Sequence, residues 1–243
     1  MPKLSLFLTL VLLLSACAST PSEQNATSTA TYATAMQAVR EGEANKGIEA
    51  LQTIIAQSEG PMKAQAEIGL AYAYYTKGDY DLAFKQCNVF ITDNPTYPQL
   101  VYVYYLRALV KTKQGEAHLK TLMAKMNPGN NYPEALREAY GYYSDLIQRY
   151  PESDYAKTAY KQIESIRKQL AKYELHLARY EMVEGNYQEA ARHAEYVMEY
   201  FSDNLSRKYA LTILIRAYEG MDMPQQAKNA KRQLKELTVK IEQ

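Results

Sequence analysis

The sequence predicts an all-α chain built as a stack of antiparallel helix pairs. Three observations carry that expectation. Beyond residue 31 the apolar positions fall three and four apart, the spacing of one helix face, and no stretch alternates as a half-buried strand does. Turn-forming residues recur at roughly half-repeat intervals. The segment Lys77-Gly78-Asp79-Tyr80-Asp81-Leu82-Ala83 returns as Glu184-Gly185-Asn186-Tyr187-Gln188-Glu189-Ala190, with Gly, Tyr and Ala at the same spacing, and internal recurrence of this kind marks a solenoid.

The N-terminal stretch precedes the stack. Lys3 is followed by an apolar run, Leu4 to Leu14, too short to span a hydrocarbon core of ~30 Å as a helix. A buried N-terminal helix is the other reading, but the run has no polar face to turn to solvent. Leu14-Ser15-Ala16-Cys17 resembles the lipobox of bacterial lipoproteins, which implies a signal segment over 1–16, cleavage before Cys17 and lipid on that residue. Ala18 in place of Asp implies sorting to the outer membrane. Several acyl chains hold stably where one holds marginally. Residues 18–31 carry no bulky apolar side chain before the end of the stretch, so 17–31 is expected to be a lipidated Cys and a flexible tether reaching roughly 20 Å.

The repeated turn resembles that of a tetratricopeptide repeat, in which Gly ends helix A, Tyr packs on the turn and a small Ala lets helix B approach. Around the first copy, Ala71, Tyr74 and Pro95 also fit that pattern. A further unit places Ala108 on a helix A expected over Leu100 to Lys113, with Ala139 and Pro151 on its second half and an insertion over roughly 114–132. In the opening unit Ala38 and Ala50 fit and Gly47 replaces the turn Tyr; in the last, Tyr218 and Ala227 fit. The expectation is a superhelical tetratricopeptide solenoid of about five repeats, divided into an N-terminal half at 32–152 and a C-terminal half at 153–243.

One element breaks the regularity. Residues 153–184 contain no Gly, Pro or Asn, and Ala156, Ala159, Ile163, Ile166, Leu170, Tyr173, Leu177 and Tyr180 step by three or four. Ser153 or Asp154 caps the start and Gly185 stops the end, predicting one long helix; the alternative is two helices with an unmarked break. In the final helix Ala227, Ala230, Leu234, Leu237 and Ile241 form the apolar stripe. Lys228, Lys231, Arg232 and Lys235 lie mostly on other faces and read as a solvated end face rather than a nucleic-acid patch.

Composition narrows the function. The chain has 28 basic and 27 acidic residues. A nearly neutral body argues against nucleic acid as the main partner. No phosphate loop, nucleophile elbow or paired-Cys motif occurs, and His118, His176 and His193 are scattered without ligand spacing. Cys87 reads as a small buried hydrophobe. No enzyme, cofactor or metal is expected, and a periplasmic hydrolase would need a convergent polar site the sequence does not offer. A solenoid of this kind reads as a binding scaffold.

Tyrosine is the unusual component: 23 Tyr against four Phe and no Trp. Counted from the small Ala of each unit, Tyr72 and Tyr75 fall on groove-facing positions of one helix A and Tyr102 and Tyr105 on those of the next, each pair at i, i+3. Tyr32 takes the matching place in the first unit. These five are the candidate peptide-binding residues, because Tyr gives large amphipathic contact at low entropy cost. Tyr74, Tyr80, Tyr104 and Tyr187 fall on packing positions.

The lipobox, Thr96–Leu109, Leu146–Ala159 and Arg167–Glu195 together resemble the BamD family, also known as ComL or YfiO, of the outer-membrane β-barrel assembly machinery. The resemblance implies five repeats on the periplasmic side of a Gram-negative outer membrane, an N-terminal half that receives unfolded barrel precursors, and a C-terminal half that docks BamA and BamE. BamC would run along the N-terminal half. A pilotin for a type IV pilus secretin shares lipobox and repeats but should lack the long helix. Departures from the family pattern fall at Gln162, Glu181, Glu184 and Ser202. His193 stands where an Arg that pairs with BamA is expected, with Arg192 beside it; these two are the candidate partner-docking residues.

Overall fold

The computed structural model describes residues 21–125 and 132–242. The signal segment 1–16, the expected anchor Cys17 and the Asn127–Asn131 part of the insertion lie outside them. Among the described residues the chain is all-helical: α1 Pro21–Arg40, α2 Ala44–Gln57, α3 Gly60–Lys77, α4 Tyr80–Asp93, α5 Leu100–Met123, α6 Glu134–Arg149, α7 Asp154–Val183, α8 Tyr187–Tyr200, α9 Asn204–Gly220 and α10 Pro224–Glu242. Successive helices pack as five pairs. The odd-numbered helices also touch one another in order, α1 to α3, α3 to α5, α5 to α7 and α7 to α9, so they form one layer of a solenoid.

The turns inside four of the pairs are built alike. Gly42, Gly78 and Gly185 adopt φ of 88°, 88° and 78°, and Asp222 takes the same place in the last pair at φ 55°. In each, the next residue donates its N–H to the carbonyl five positions back: Glu43 to Ala38 at 2.9 Å, Asp79 to Tyr74 at 3.0 Å, Asn186 to Glu181 at 2.9 Å and Met223 to Tyr218 at 2.8 Å. That bond closes the helix on a left-handed residue, which Gly adopts without steric penalty.

This register corrects the first unit. Gly42, not Gly47, belongs to the turn. Gly47 lies on α2, where a Cβ would sit 2.3 Å from Val39 Cγ2 and 3.0 Å from the Ala35 carbonyl oxygen. Ala35 and Gly47 are therefore the small pair that lets α1 and α2 meet, as Ala71 and Ala83, both fully buried, do for α3 and α4.

Two further expectations are corrected. Helix α1 begins at Pro21, so residues 21–31 are helical rather than a flexible tether. Pro suits the first helical position, and Glu23, Gln24, Ala26 and Ala30 are good helix formers with no Gly or interior Pro among them. Helix α5 does not stop at Lys113. Gly115, Leu119 and Leu122 extend its buried stripe at i, i+4, i+7, and the helix runs to Met123. Gly115 is where α6 comes closest: a Cβ there would lie 2.7 Å from the backbone nitrogen of Leu136.

The long helix is α7, 30 residues without a break, with the Ser153 side chain accepting from the Ala156 N–H at its start. It contributes to two cores. Ala156, Ala159, Ile166, Tyr173 and Leu177 join a cluster that reaches back through α6, α5 and α4 to α3. Ala171, Leu175 and Ala178 join a second cluster with α8, α9 and α10. A third, smaller cluster holds α1, α2 and part of α3. The boundary at 152/153 thus marks a change of repeat and not a gap in the core.

Two glycine substitutions are expected to move stability in opposite directions. Gly115→Ala drives a methyl into Leu136 and destabilises by about 1–3 kcal/mol, the usual cost of overpacking. Gly141→Ala, on α6 with nothing within 4 Å, adds helix propensity and stabilises by roughly 0.5–1 kcal/mol. Thermal melts followed by circular dichroism measure both; equal shifts would contradict the close α5–α6 approach.

Candidate functional site

The five candidate tyrosines come from three helices of the same layer. Tyr32 lies on α1, Tyr72 and Tyr75 on α3, and Tyr102 and Tyr105 on α5; each is half-buried. The i, i+3 spacing brings the Tyr72 and Tyr75 rings to 6.2 Å between centroids. Tyr75 continues to Tyr80 at 6.3 Å. On the next helix Tyr102 and Tyr105 both meet Tyr155 of α7, at 5.8 and 5.2 Å. Tyr105 also lies 6.0 Å from Tyr143, which is fully buried. These separations and tilts are those of favourable aromatic pairs.

Burial pushes the Tyr102 phenol well above the ordinary tyrosine range, and the neighbouring Tyr72, Tyr155, Cys87 and Tyr32 push it the same way. Burial also raises Tyr75 and Tyr105. Tyr32 is raised by burial against the opposing effect of its hydrogen bond with Gln65. The rings thus stand along one helical layer in two contact groups, Tyr72–Tyr75–Tyr80 and Tyr102–Tyr155–Tyr105, all half-buried. They have no acid–base group poised for chemistry; they offer flat apolar area and hydroxyl donors. Of the expected packing tyrosines, Tyr104 is buried, while Tyr74 is half-buried and accepts from Gln52 Nε2 at 3.2 Å.

Sequence reasoning missed Tyr155. It stands at the start of α7, outside the A-helix register used to count groove positions, and only the packing of α7 on α5 brings it beneath Tyr102 and Tyr105.

The docking pair divides. His193 is 9 % exposed, and its Nδ1 lies 2.7 Å from Glu174 Oε2 on α7. Arg192 is exposed; its Nη2 donates to His193 Nε2 at 3.1 Å and its Nε to Glu189 at 2.7 Å. His193 thus bridges the buried Glu174 carboxylate and the exposed Arg192 guanidinium through its two ring nitrogens. Glu174, 3 % exposed, also accepts from the Tyr132 hydroxyl. Tyr132 stands just before α6, edge-on to Tyr173 at 5.8 Å and under the Arg137 guanidinium at 3.9 Å. A buried chain thus runs from the end of the insertion through α7 to α8 and surfaces at Arg192. The signal for Glu174 was present: a carboxylate at i±3 and i±4 of Ala171, Leu177 and Ala178, inside the apolar arc of a helix. Of the departures, Glu181 accepts from Asn186 Nδ2 at 2.8 Å in the α7–α8 turn, and Glu184 and Ser202 are exposed.

The model of a family described as YfiO, outer membrane lipoprotein, matches residues 24–234. The chain belongs to the YfiO family. Relatives include the outer membrane protein assembly factor BamD of Neisseria gonorrhoeae, 31 % identical over 170 residues, covering 70 % of this chain and 63 % of that protein. The factor of the same name from Vibrio cholerae is 25 % identical over 193 residues, covering 79 % and 80 %. The match thus spans less than two thirds of the Neisseria protein. Among solved structures, a thermophilic TPR protein of Thermus thermophilus is 13 % identical with a TM-score of 0.42, covering 80 % of this chain and 98 % of that one. In this YfiO-family chain no described helix is long and apolar enough to cross a membrane.

Two measurements check these environments. Glu174→Ala leaves the Tyr132 hydroxyl and the His193 Nδ1–H without their acceptor and is expected to destabilise by about 1–3 kcal/mol in a denaturant titration, with Glu174→Gln recovering part of it. Burial pushes the Cys87 thiol up to about 12, so Ellman's reagent at pH 8 is expected to react only after unfolding. An unfolded thiol titrates near its ordinary value of about 8.5. The folded state therefore holds the proton more tightly, and this contribution to stability is present below that value and is lost as pH rises toward 12.

Proposed function

We propose that this chain is a non-enzymatic scaffold and substrate receiver of the outer-membrane β-barrel assembly complex. In this reading it is held to the periplasmic face of a Gram-negative outer membrane by lipid on Cys17. The N-terminal pairs take up unfolded barrel precursors, and the C-terminal pairs dock a BamA-like barrel protein and the other assembly lipoproteins. Membership of the YfiO family and the names of the relatives support the complex; they also favour it over the secretin pilotin.

The observation that carries the receiving role is the row of half-buried tyrosines Tyr32, Tyr72, Tyr75, Tyr102 and Tyr105 on three successive helices of one layer. A barrel precursor offers extended strands with alternating apolar and aromatic residues. Half-buried rings with free faces can stack on such residues, and hydroxyls can bond the unpaired strand backbone. Aromatic pairs contribute about 0.5–1.5 kcal/mol beyond area burial, so several give useful but reversible affinity. Reversibility matters, because nothing in the sequence marks an energy source for release.

Docking falls to Arg192 in this reading, since the His193 side chain is turned inward. His193 has the separate role of holding the Arg192 guanidinium through Nε2.

The test uses Tyr72→Ala with Tyr75→Ala, since these rings share one helix face. Photo-crosslinking to a peptide from the last strand of a barrel protein is expected to fall about tenfold, the effect of losing ~1.4 kcal/mol. Far-ultraviolet circular dichroism and recovery of the BamA-like partner should not change. Arg192→Glu is expected to do the reverse, lowering partner recovery while peptide capture stays. Capture at the wild-type level by the double tyrosine variant would refute the receiving face.

A further inference from the structure

A second surface lies on the same helical layer, between α7 and α9. Three adjoining cavities of about 390, 750 and 290 Å³ run along it. The first two share Lys168, Asp203 and Asn204, and the last two share Arg179 and Tyr209, so they form one groove. Its α7 wall presents Lys168, Lys172, Leu175 and Arg179, and its α9 wall presents Leu205, Tyr209, Thr212 and Arg216. Both walls step by i, i+4, i+7, i+11, which puts each set on one face of its helix.

The groove is unusual in two respects. Its rim exposes large apolar side chains: Val183 at 79 %, Leu205 at 61 % and Tyr209 at 46 %. Its charge is one-sided. Glu164 is taken by Lys168 at 2.7 Å, and Asp203 caps α9 by accepting from the Ser206 N–H at 2.8 Å. Among the described residues no carboxylate comes within ion-pair distance of Lys172, Arg179 or Arg216; Arg179 instead sits 5.4 Å from the Tyr209 ring. In a chain of balanced charge, three exposed cations without counter-ions beside exposed aliphatic side chains is a local excess that calls for a complement.

We propose that the α7–α9 groove docks an acidic amphipathic helix of a partner protein, its aliphatic side against Leu205 and Tyr209 and its carboxylates against Lys172, Arg179 and Arg216. The two walls run alongside each other with helical spacing, and the trough between two such helices accepts the ridge of a third. From Lys168 to Val183 the groove is roughly 23 Å long at 1.5 Å per residue, which accommodates a helix of about 15 residues. A membrane surface fits less well, because a flat array of headgroups cannot reach Leu175 and Ile213 at the floor. None of the lining residues belongs to the tyrosine face or is Arg192, so this inference stands apart from the receiving role.

The experiment uses the full chain with Cys17→Ser and a fluorescein-labelled helical peptide of about 15 residues carrying Glu on one face and Leu on the other. Fluorescence anisotropy is expected to show saturable binding that weakens with salt, as exposed charge pairs are screened. The same peptide with Lys in place of Glu is expected not to bind. Lys172→Glu with Arg179→Glu, and separately Leu205→Ala with Tyr209→Ala, are each expected to raise Kd about tenfold or more, whereas Tyr72→Ala with Tyr75→Ala leaves it unchanged. All four substituted groove residues are exposed, so folding is preserved, and circular dichroism checks this. Equal binding of both peptides, or groove variants that bind like the parent, overturns the proposal. So does cosedimentation with phosphatidylglycerol vesicles that depends on the same residues without peptide binding, which would make the groove a lipid site. A dimer in sedimentation that Leu205→Asp abolishes would make the groove a self-association face and equally overturn it.

Discussion

The architecture depends on α7 having buried residues on two sides. A helix of a two-layer solenoid ordinarily buries one stripe. In α7 the stripe of Ala156, Ala159, Ile166, Tyr173 and Leu177 faces α5 and α6, while Ala171, Leu175 and Ala178 face α8 and α9. Because the helix has no Gly, Pro or Asn, its backbone hydrogen bonds run unbroken between these contacts, and a continuous helix transmits orientation more rigidly than a turn. The tyrosine face, on α1, α3 and α5 with Tyr155 of α7, and the groove on α9 are thereby held in one frame. Glu174 reinforces this from inside, fastening the start of α6 and the middle of α8 to the same helix.

The preponderance of tyrosine has a physical reading in this setting. Phenylalanine at Tyr72 or Tyr102 would bury as well but would leave a purely apolar surface on one side, and an exposed apolar patch invites association. A phenol keeps the ring against the core and adds a hydroxyl, which in Tyr102 is itself largely buried. Cys87 and Phe90 sit deeper, fully buried beneath this layer. Burial that raises a phenol's titration point keeps it neutral and a hydrogen-bond donor over the physiological range, so the face does not acquire charge that would repel a strand of either sign.

Much of this was legible in the sequence, because the turns and the long helix are specified by local chemistry. Gly78 and Gly185 sit where a left-handed residue must follow a helix, and the run from Asp154 to Val183 lacks any residue that would end one. The misreadings arose where local signals were weak and tertiary contact decided. Gly47 looked like part of a turn because its spacing from Ala50 mimicked that of Tyr80 from Ala83; only the approach of Val39 shows why a Cβ is forbidden there. Gly115 occupies the register of a turn glycine, yet Leu119 and Leu122 carry the helix onward because Leu136 packs against it. Residues 21–31 lack bulky apolar side chains, which suggested coil, but helix propagation needs only the absence of a breaker once the packed segment from Tyr32 has nucleated it. His193 is expected to dock a partner because an Arg stands at its place in the resembling family, and a sequence cannot show that Glu174, nineteen residues earlier, stands opposite it.

The repeated left-handed closure also bears on how the chain folds. Each turn brings together helices adjacent in sequence, so nearly every native pairing is local, and topologies of that kind reach the native state quickly. Any one hairpin can serve as a nucleus, with neighbours adding to either side. The exception is the α5–α6 pair, where helix extension past Gly115 and the insertion lengthen the loop to be closed. That closure carries a modest extra entropic cost, about 0.6 kcal/mol for each doubling of loop length, so this pair closes only a little less readily than the hairpins on either side.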